Sequence, residues 1–408
     1  MWDAIIVGAR CAGSATALLL ARQGHKVLLL DRASFPSDTL STHFLWPRGC
    51  SYLNRWGVLD EVLVGAPGLS HVNFARDGIA FAARTPLKQV ERRLHAVHGD
   101  GTGAVTTHVS VRRTVLDQWL VEKAIAAGVE FRPGAAVKRL VFDGDRVVGA
   151  AGDGFEERGR LVIGADGRNS FVAKAVQAPV YDERENATFA YWTYFSGLGL
   201  KEAVMEKRGR LCVVIVPTNF GAGMALVFGP KAWYPQFREH FQENYMRAIA
   251  FVNPGLEEKV RAGHQEERFY GVGDQRAFKR QCVGQGWLLV GDAACIKDQC
   301  TAIGMTHAFR DAELAAACIG NLEDYARRRE ADLADYYEFV DRMAGMALAT
   351  PDDMRFMRGV QANPELADEF AAMYGDALRV DEYIAEGRPR VPLLGDDVPS
   401  PDGLACLL

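Results

Sequence analysis

Residues 1–32 read MWDAIIVGARCAGSATALLLARQGHKVLLLDR, and this stretch decides the fold. Residues 4–7 are a short apolar run with the texture of a buried parallel strand. Gly8-Ala9-Arg10-Cys11-Ala12-Gly13 follows at once, then a helical run over 14–23. A second buried strand over 26–30 ends on Asp31 and Arg32. The spacing is that of a βαβ unit built to bind a dinucleotide. Gly8 permits the tight turn from strand to helix, and Gly13 lets the two elements pack closely. The helix start at Cys11, Ala12 and Gly13 offers backbone N–H groups and partial positive charge to a pyrophosphate. Asp31 is placed to accept hydrogen bonds from both hydroxyls of an adenosine ribose. Arg10 stands where the pattern has its middle glycine. Its side chain must therefore point away from the phosphates or lie across them as a cation.

The chain has 408 residues, enough for two or three domains around separate cores. A formal net charge of −5 argues against a general binder of nucleic acid or anionic membranes. No apolar run approaches the ~20 residues that span a bilayer, so stable membrane insertion is not expected. The apolar N-terminus leads straight into a glycine turn and does not read as a signal peptide. Cysteines at 11, 50, 212, 282, 295, 300, 318 and 406 form no C-x-x-C, so neither a metal site nor a disulfide framework is expected. A reduced, cytoplasmic protein is the simplest reading.

Further along, 33–43 is a polar loop whose end, Ser41-Thr42-His43, sets hydroxyls beside an imidazole. A helix over 47–56 closes on Gly57. Strand-like pieces at 72–74, 80–83 and 105–111 surround a basic segment, 88–98, which reads as a solvated loop carrying His95 and His98. A helix over 112–127 follows, then a hairpin of 136–142 with 146–151. The strand at 160–164 runs into Ala165-Asp166-Gly167-Arg168-Asn169-Ser170. From 188 to 229 the texture changes to alternating, aromatic-rich strands (188–195, 211–217, 223–228), an antiparallel sheet of a second domain. A helix over 233–252 would pack across it. Strands at 269–272 and 287–290 come next, the latter ending in Gly291-Asp292-Ala293-Ala294, with a helix over 301–318 beyond. The tail from 321 is helical, broken at Pro351 and Pro364, and Pro-rich beyond Arg388.

Three motifs in this order resemble those of the FAD-dependent, aromatic-hydroxylase-like superfamily of class A monooxygenases, flavin halogenases and geranylgeranyl reductases. They are Gly8–Gly13 with Asp31, Gly164-Ala165-Asp166-Gly167-Arg168-Asn169-Ser170, and Gly291-Asp292-Ala293-Ala294 with its helix. The G-A-R-C-A-G turn is similar to that of a group of bacterial FAD-dependent oxidoreductases in which the central Arg is normal. The resemblance implies an α/β fold: a Rossmann-like FAD-binding domain, an inserted antiparallel-sheet substrate domain, and C-terminal helices. The expected division is 1–72, 107–180 and 275–320 for the first, 73–106 and 181–274 for the second, and 321–408 for the third. Gly8, Cys11, Ala12, Gly13, Asp31 and Arg32 would hold the adenosine and pyrophosphate end of FAD. Ser41, Thr42 and His43 align with the loop beside the flavin. Arg113, with Arg112 as second choice, resembles the arginine that reaches phosphate or ribityl chain. Asp166 resembles the residue linking FAD to the passage of NAD(P)H, and Asp292 would hold a ribityl hydroxyl. The helix starting near Gly304-Met305 would point its N-terminus at the pyrimidine edge. Two positions depart from the pattern: Gln299 replaces a usual proline, and Ala302 a common glycine.

By this resemblance the chain is a monooxygenase. NAD(P)H reduces FAD, O2 forms a flavin hydroperoxide, and an apolar or aromatic small molecule is hydroxylated or epoxidised. The alternative is a reductase or dehydrogenase of the geranylgeranyl reductase type, acting on carbon–carbon bonds without O2; Gln299 tilts toward it. No W-x-W-x-I-P segment is present, which disfavours a halogenase. Tyr191, Trp192, Tyr194, Pro217 and Met224 are the expected pocket residues, with strand alternation deciding which of Tyr191 and Trp192 faces in. His43, titrating near pH 6–7, is the candidate for proton handling beside Gln299. The charged helical tail offers a surface for a homo-oligomer.

Overall fold

The three motifs meet because their strands are neighbours in one parallel sheet. The computed structural model describes residues 1–385; the Pro-rich end and Cys406 lie outside the described residues. In spatial order the sheet runs Trp287–Leu289, Phe155–Gly164, Trp2–Val7, Val27–Leu30 and Glu130–Arg132, each pair parallel. Its centre is apolar and covered on both faces: Ala4, Ile5 and Ile6 and all of Val27–Leu30 are buried. The hairpin Val137–Asp143 with Arg146–Gly152 extends it antiparallel from Phe155–Gly164. Helices Cys11–Arg22, Arg113–Ala126 and Gly304–Ala317 pack beside the sheet, the first against both others.

A second sheet runs His264–Gln265, Thr188–Ser196, Ala222–Pro230, Leu211–Pro217, Ala203–Arg208, Val72–Arg76 and Ile79–Ala83. All its pairings are antiparallel except that of Ala203–Arg208 with Val72–Arg76. Alternation divides the aromatic strand between two cores. Phe189, Tyr191 and Phe195 pack with the helix Phe241–Val252, whereas Ala190, Trp192 and Tyr194 join the core shared with the parallel sheet. The tail forms helices Leu322–Ala344, Pro351–Ala362, Pro364–Tyr374 and Val380–Ala385. Pro351 and Pro364 each occupy the first helical turn, where no donor is lost.

Several expectations are corrected. The basic segment is a helix, Leu87–His98, that buries Val90, Leu94 and Val97 and stops at left-handed Gly99. His98 is half-buried and hydrogen-bonded to the Tyr52 hydroxyl at 3.0 Å, so this is no solvated loop. The strand expected at 105–111 shortens to His108–Ser110. The helix across the sheet is broken at His240 into Tyr234–Glu239 and Phe241–Val252. The helix expected over 301–318 starts only at Gly304, because Ala302 turns left-handed after one 3-10 turn. Among the described residues all seven cysteines are buried and free, no group of His, Cys, Asp and Glu could hold a metal, and no helix is long and apolar enough to cross a membrane.

Candidate active site

The carboxyl ends of the parallel strands form a shelf tied by backbone hydrogen bonds: Gly8 N–H to Leu30 at 2.7 Å, Ala165 N–H to Val7 at 2.8 Å, and Val290 N–H to Gly164 at 3.0 Å. Gly8, Asp31, Asp166 and Asp292 thus share one edge, where doubly wound sheets bind ligands. Gly8 has φ +102, and a Cβ there would lie 2.5 Å from the Ala165 carbonyl oxygen. A Cβ on Gly13 would lie 1.7 Å from the Gly8 oxygen, so the helix can cross the strand end only as glycine. Cys11–Arg22 begins without a side-chain cap, leaving its first N–H groups for a ligand. Asp31 accepts from Ala9 N–H at 2.6 Å and Ala33 N–H at 2.8 Å, which fixes its carboxylate at the mouth of the turn. Arg32 is exposed beside it.

Arg10 turns away from the cradle. Its guanidinium reaches Asp117 at 3.4 Å, the Ser37 hydroxyl at 3.2 Å and the Asp38 carbonyl at 2.8 Å. Asp117, absent from the sequence expectations, is the hub: Arg113 donates through Nε to both its oxygens at 3.1 Å, and Cys11 Sγ lies 3.2 Å from Oδ1. The signal was there as the i,i+4 spacing of Arg113 and Asp117. Arg112 points to the other sheet, pairing with Glu267 and lying 3.7 Å over the Tyr194 ring. Asp166 accepts from the Ser170 hydroxyl and from Phe171 and Val172 N–H at 2.5, 2.7 and 3.1 Å. Its carboxylate caps the short helix Phe171–Ala175.

Asp292 opens to the cleft, yet protein crowds it so closely that burial pushes its carboxyl above the usual range, against the pull of Lys297, Arg113 and Arg168. Gly291, just before it, is held at 2.9 Å by buried Asp311, another residue the sequence did not single out. Gly304–Ala317 starts without a side-chain cap, with Gly304 exposed and Met305 buried.

Between the sheets lies an apolar pocket of about 540 Å³ with its open mouth included, walled by Phe44, Trp46, Met224 and Phe228. Thr42 and Gln299 are its polar side chains, with Ala302 beside them. Phe44 and Trp46 were missed, although they continue the polar loop at strand spacing. Of the expected lining, Met224 is present. Tyr191 is not: it stacks on Phe241 at 5.4 Å on the far face of the sheet. Pro217 has the same parity as Val213 and Ile215, which also face away. Trp192 and Tyr194 lie on the pocket's side of the sheet, Trp192 stacked on Tyr270 at 5.7 Å.

His43 is buried at φ 58, and Ser41 Oγ accepts its N–H at 3.2 Å. Nδ1 accepts the Arg113 N–H at 3.2 Å, so the neutral ring holds its proton on Nε2, against the Tyr194 hydroxyl. Burial, then Arg113 and Arg112, hold its pKa well below the ordinary histidine value. The expectation of titration near pH 6–7 is therefore corrected. Burial likewise pushes the Tyr194 phenol up.

Uncapped helix starts, a glycine cradle and acidic groups at the strand ends fit a dinucleotide. A family model described as FAD binding domain matches residues 1–340. The chain belongs to this FAD-binding family. Within it the chain is an FAD-dependent oxidoreductase. It is 27% identical to a probable electron transfer flavoprotein-quinone oxidoreductase, YdiS of Escherichia coli K12, over 96% of this chain and 92% of that one. Its fold is that of the flavin-dependent brominase Bmp2 (TM-score 0.74, 19% identity, covering 92% and 93% of the two chains). It is also that of PqsL, a probable FAD-dependent monooxygenase from Pseudomonas aeruginosa (TM-score 0.69, 19% identity, covering 91% and 99%).

Proposed function

We propose that this FAD-dependent oxidoreductase is a monooxygenase that takes electrons from NAD(P)H and inserts oxygen from O2 into an apolar small molecule. The observation that carries the reading is the pocket: apolar walls, two neutral polar side chains, and the Gln299–Ala302 loop along one side. FAD supplies the two-electron chemistry when bound. The protein's work is placement and exclusion of water. Cys11, Ala12 and Gly13 would hold the pyrophosphate, Asp31 the ribose, and Asp292 a ribityl hydroxyl. Arg113, pinned by Asp117, would present fixed positive charge. The Gly304 helix start would meet the flavin's polar edge. Thr42 and the Gln299 amide would orient one polar group of the substrate, and His43 Nε2–H would keep Tyr194 aligned without exchanging a proton near neutrality. The sheet of Thr188–Pro230 with Val72–Ala83 serves as the substrate domain. The structural likeness to PqsL, also solved in complex with 2-aminobenzoylacetate, supports a small-molecule substrate.

A second reading, hydride or electron transfer without oxygen, is favoured by Gln299 and by the name of the relative YdiS. The purified protein, reduced by NADPH or NADH without air and then given isotopically labelled O2, separates the two. Label in the product is expected; turnover with no oxygen consumed would establish the second reading.

A further inference from the structure

We propose that Lys297 is the counter-charge for the negative charge that reduction places on the bound flavin. The inference rests on the FAD site and not on the proposed oxygen chemistry. Lys297 is 8% exposed, and its Nζ has one hydrogen-bond partner, the Cys295 thiol at 3.8 Å. A buried ammonium loses several kcal/mol of hydration, and a thiol is too weak an acceptor to offset it. Asp292 feels the charge of Lys297 without forming an ion pair with it, and the other buried carboxylates around it are committed elsewhere. Asp298 accepts from the Thr188 hydroxyl at 2.6 Å and from the N–H groups of Ala187, Thr188 and Cys300. Asp311 is held by Arg310 and Arg329, and Asp376 by Arg48, Arg93 and His307. Lys297 forms no ion pair among the described residues, yet it sits on the segment joining the Asp292 turn to the Gln299 loop. Its field is felt in both directions: it pulls the Asp292 carboxyl down and helps hold the His307 imidazole at about 3. A buried cation without an ion pair, on the stretch of chain between Asp292 and the Gln299 loop, has one partner that comes and goes. That partner is the electron pair.

The test compares Lys297→Met, Lys297→Arg and Cys295→Ser as FAD-loaded proteins. In Lys297→Met, oxidised FAD should bind within about twofold of the parent, while affinity for sulfite falls about tenfold. The midpoint potential should move negative by the equivalent ~30 mV for a two-electron couple. Lys297→Arg and Cys295→Ser, which keep the charge, should match the parent in both. If Lys297→Met fails to fold, Lys297→Gln takes its place with the same expectation. A potential and sulfite affinity unchanged by neutralisation would overturn the proposal. Equal loss of affinity for oxidised and reduced FAD would also overturn it, showing that the ammonium serves a phosphate or the fold. Failure of the parent to consume O2 would leave these outcomes intact and count only against the oxygenase reading.

Discussion

Ala302 occupies the left-handed region at φ 54, where its Cβ crowds the following carbonyl. That conformation costs an alanine roughly 1–2 kcal/mol, against about 0.5–1 kcal/mol of extra chain entropy lost by a glycine. Ala302→Gly is expected to stabilise the protein by up to about 1 kcal/mol, read as a rise in urea midpoint at unchanged slope. Residue-scale legibility was uneven. Gly8, Gly13 and Asp31 were readable because the turn leaves no alternative to them. Arg10 was readable only as a dilemma, and its answer depended on Asp117 and Asp38, which lie 107 and 28 residues away. The neutrality of His43 could not be read at all, since its cause is burial between two arginines that are remote in sequence.

The strand Thr188–Ser196 shows what an element adds. Period-2 alternation was visible, but which parity faced the pocket depended on which face the helix Phe241–Val252 covers. The two faces now make opposite predictions. Tyr191→Ala should cost roughly 3–5 kcal/mol of stability by opening a cavity under the helix, with substrate affinity in the surviving fold little changed. Met224→Trp, on the paired strand, should fill the pocket and abolish substrate binding at a cost of about 1–3 kcal/mol. Calorimetry and ligand titration on both variants check the split; loss of substrate binding in Tyr191→Ala alone would reverse the assignment of faces. The helix Leu87–His98 was hidden for a related reason. Its apolar residues recur at 90, 94 and 97, but the charged residues among them read as a solvated run until Arg93 finds its buried partners.

At the scale of the molecule, a buried ion network ties the tail to the nucleotide-binding part. Asp332 receives Arg48 at 2.9 Å, Arg93 at 2.9 Å and Arg310 at 2.6 Å, and Asp376 receives Arg48, Arg93 and His307. Such pairs add little net stability, but removing one member strands the others. Asp332→Ala should therefore destabilise by roughly 3–5 kcal/mol in denaturant melts. Acid probes the same interior. Burial lowers His108 to about 4 and His98 and His307 to about 3, and lowers His43 as well. Between those values and the unfolded pKa of about 6.5, the unfolded chain binds more protons than the folded one. Stability should be full above pH 6.5 and fall steadily as pH drops toward 4, with Tm following; a flat profile over that range would contradict the burial of these rings. None of this network was legible, because charged residues within helices do not announce their partners.

The tail also stitches the pocket loop in place: Tyr374 Oη donates to the Cys300 carbonyl at 3.2 Å, and Tyr336 Oη to the Tyr374 carbonyl at 2.5 Å. This orders events during synthesis. The nucleotide turn leaves the ribosome well before Tyr374, and the Cys300 loop gains its hydrogen bond from the tail only once Tyr374 has emerged. A ribosome stalled between the two carries the turn without the bonds that hold the Cys300 loop.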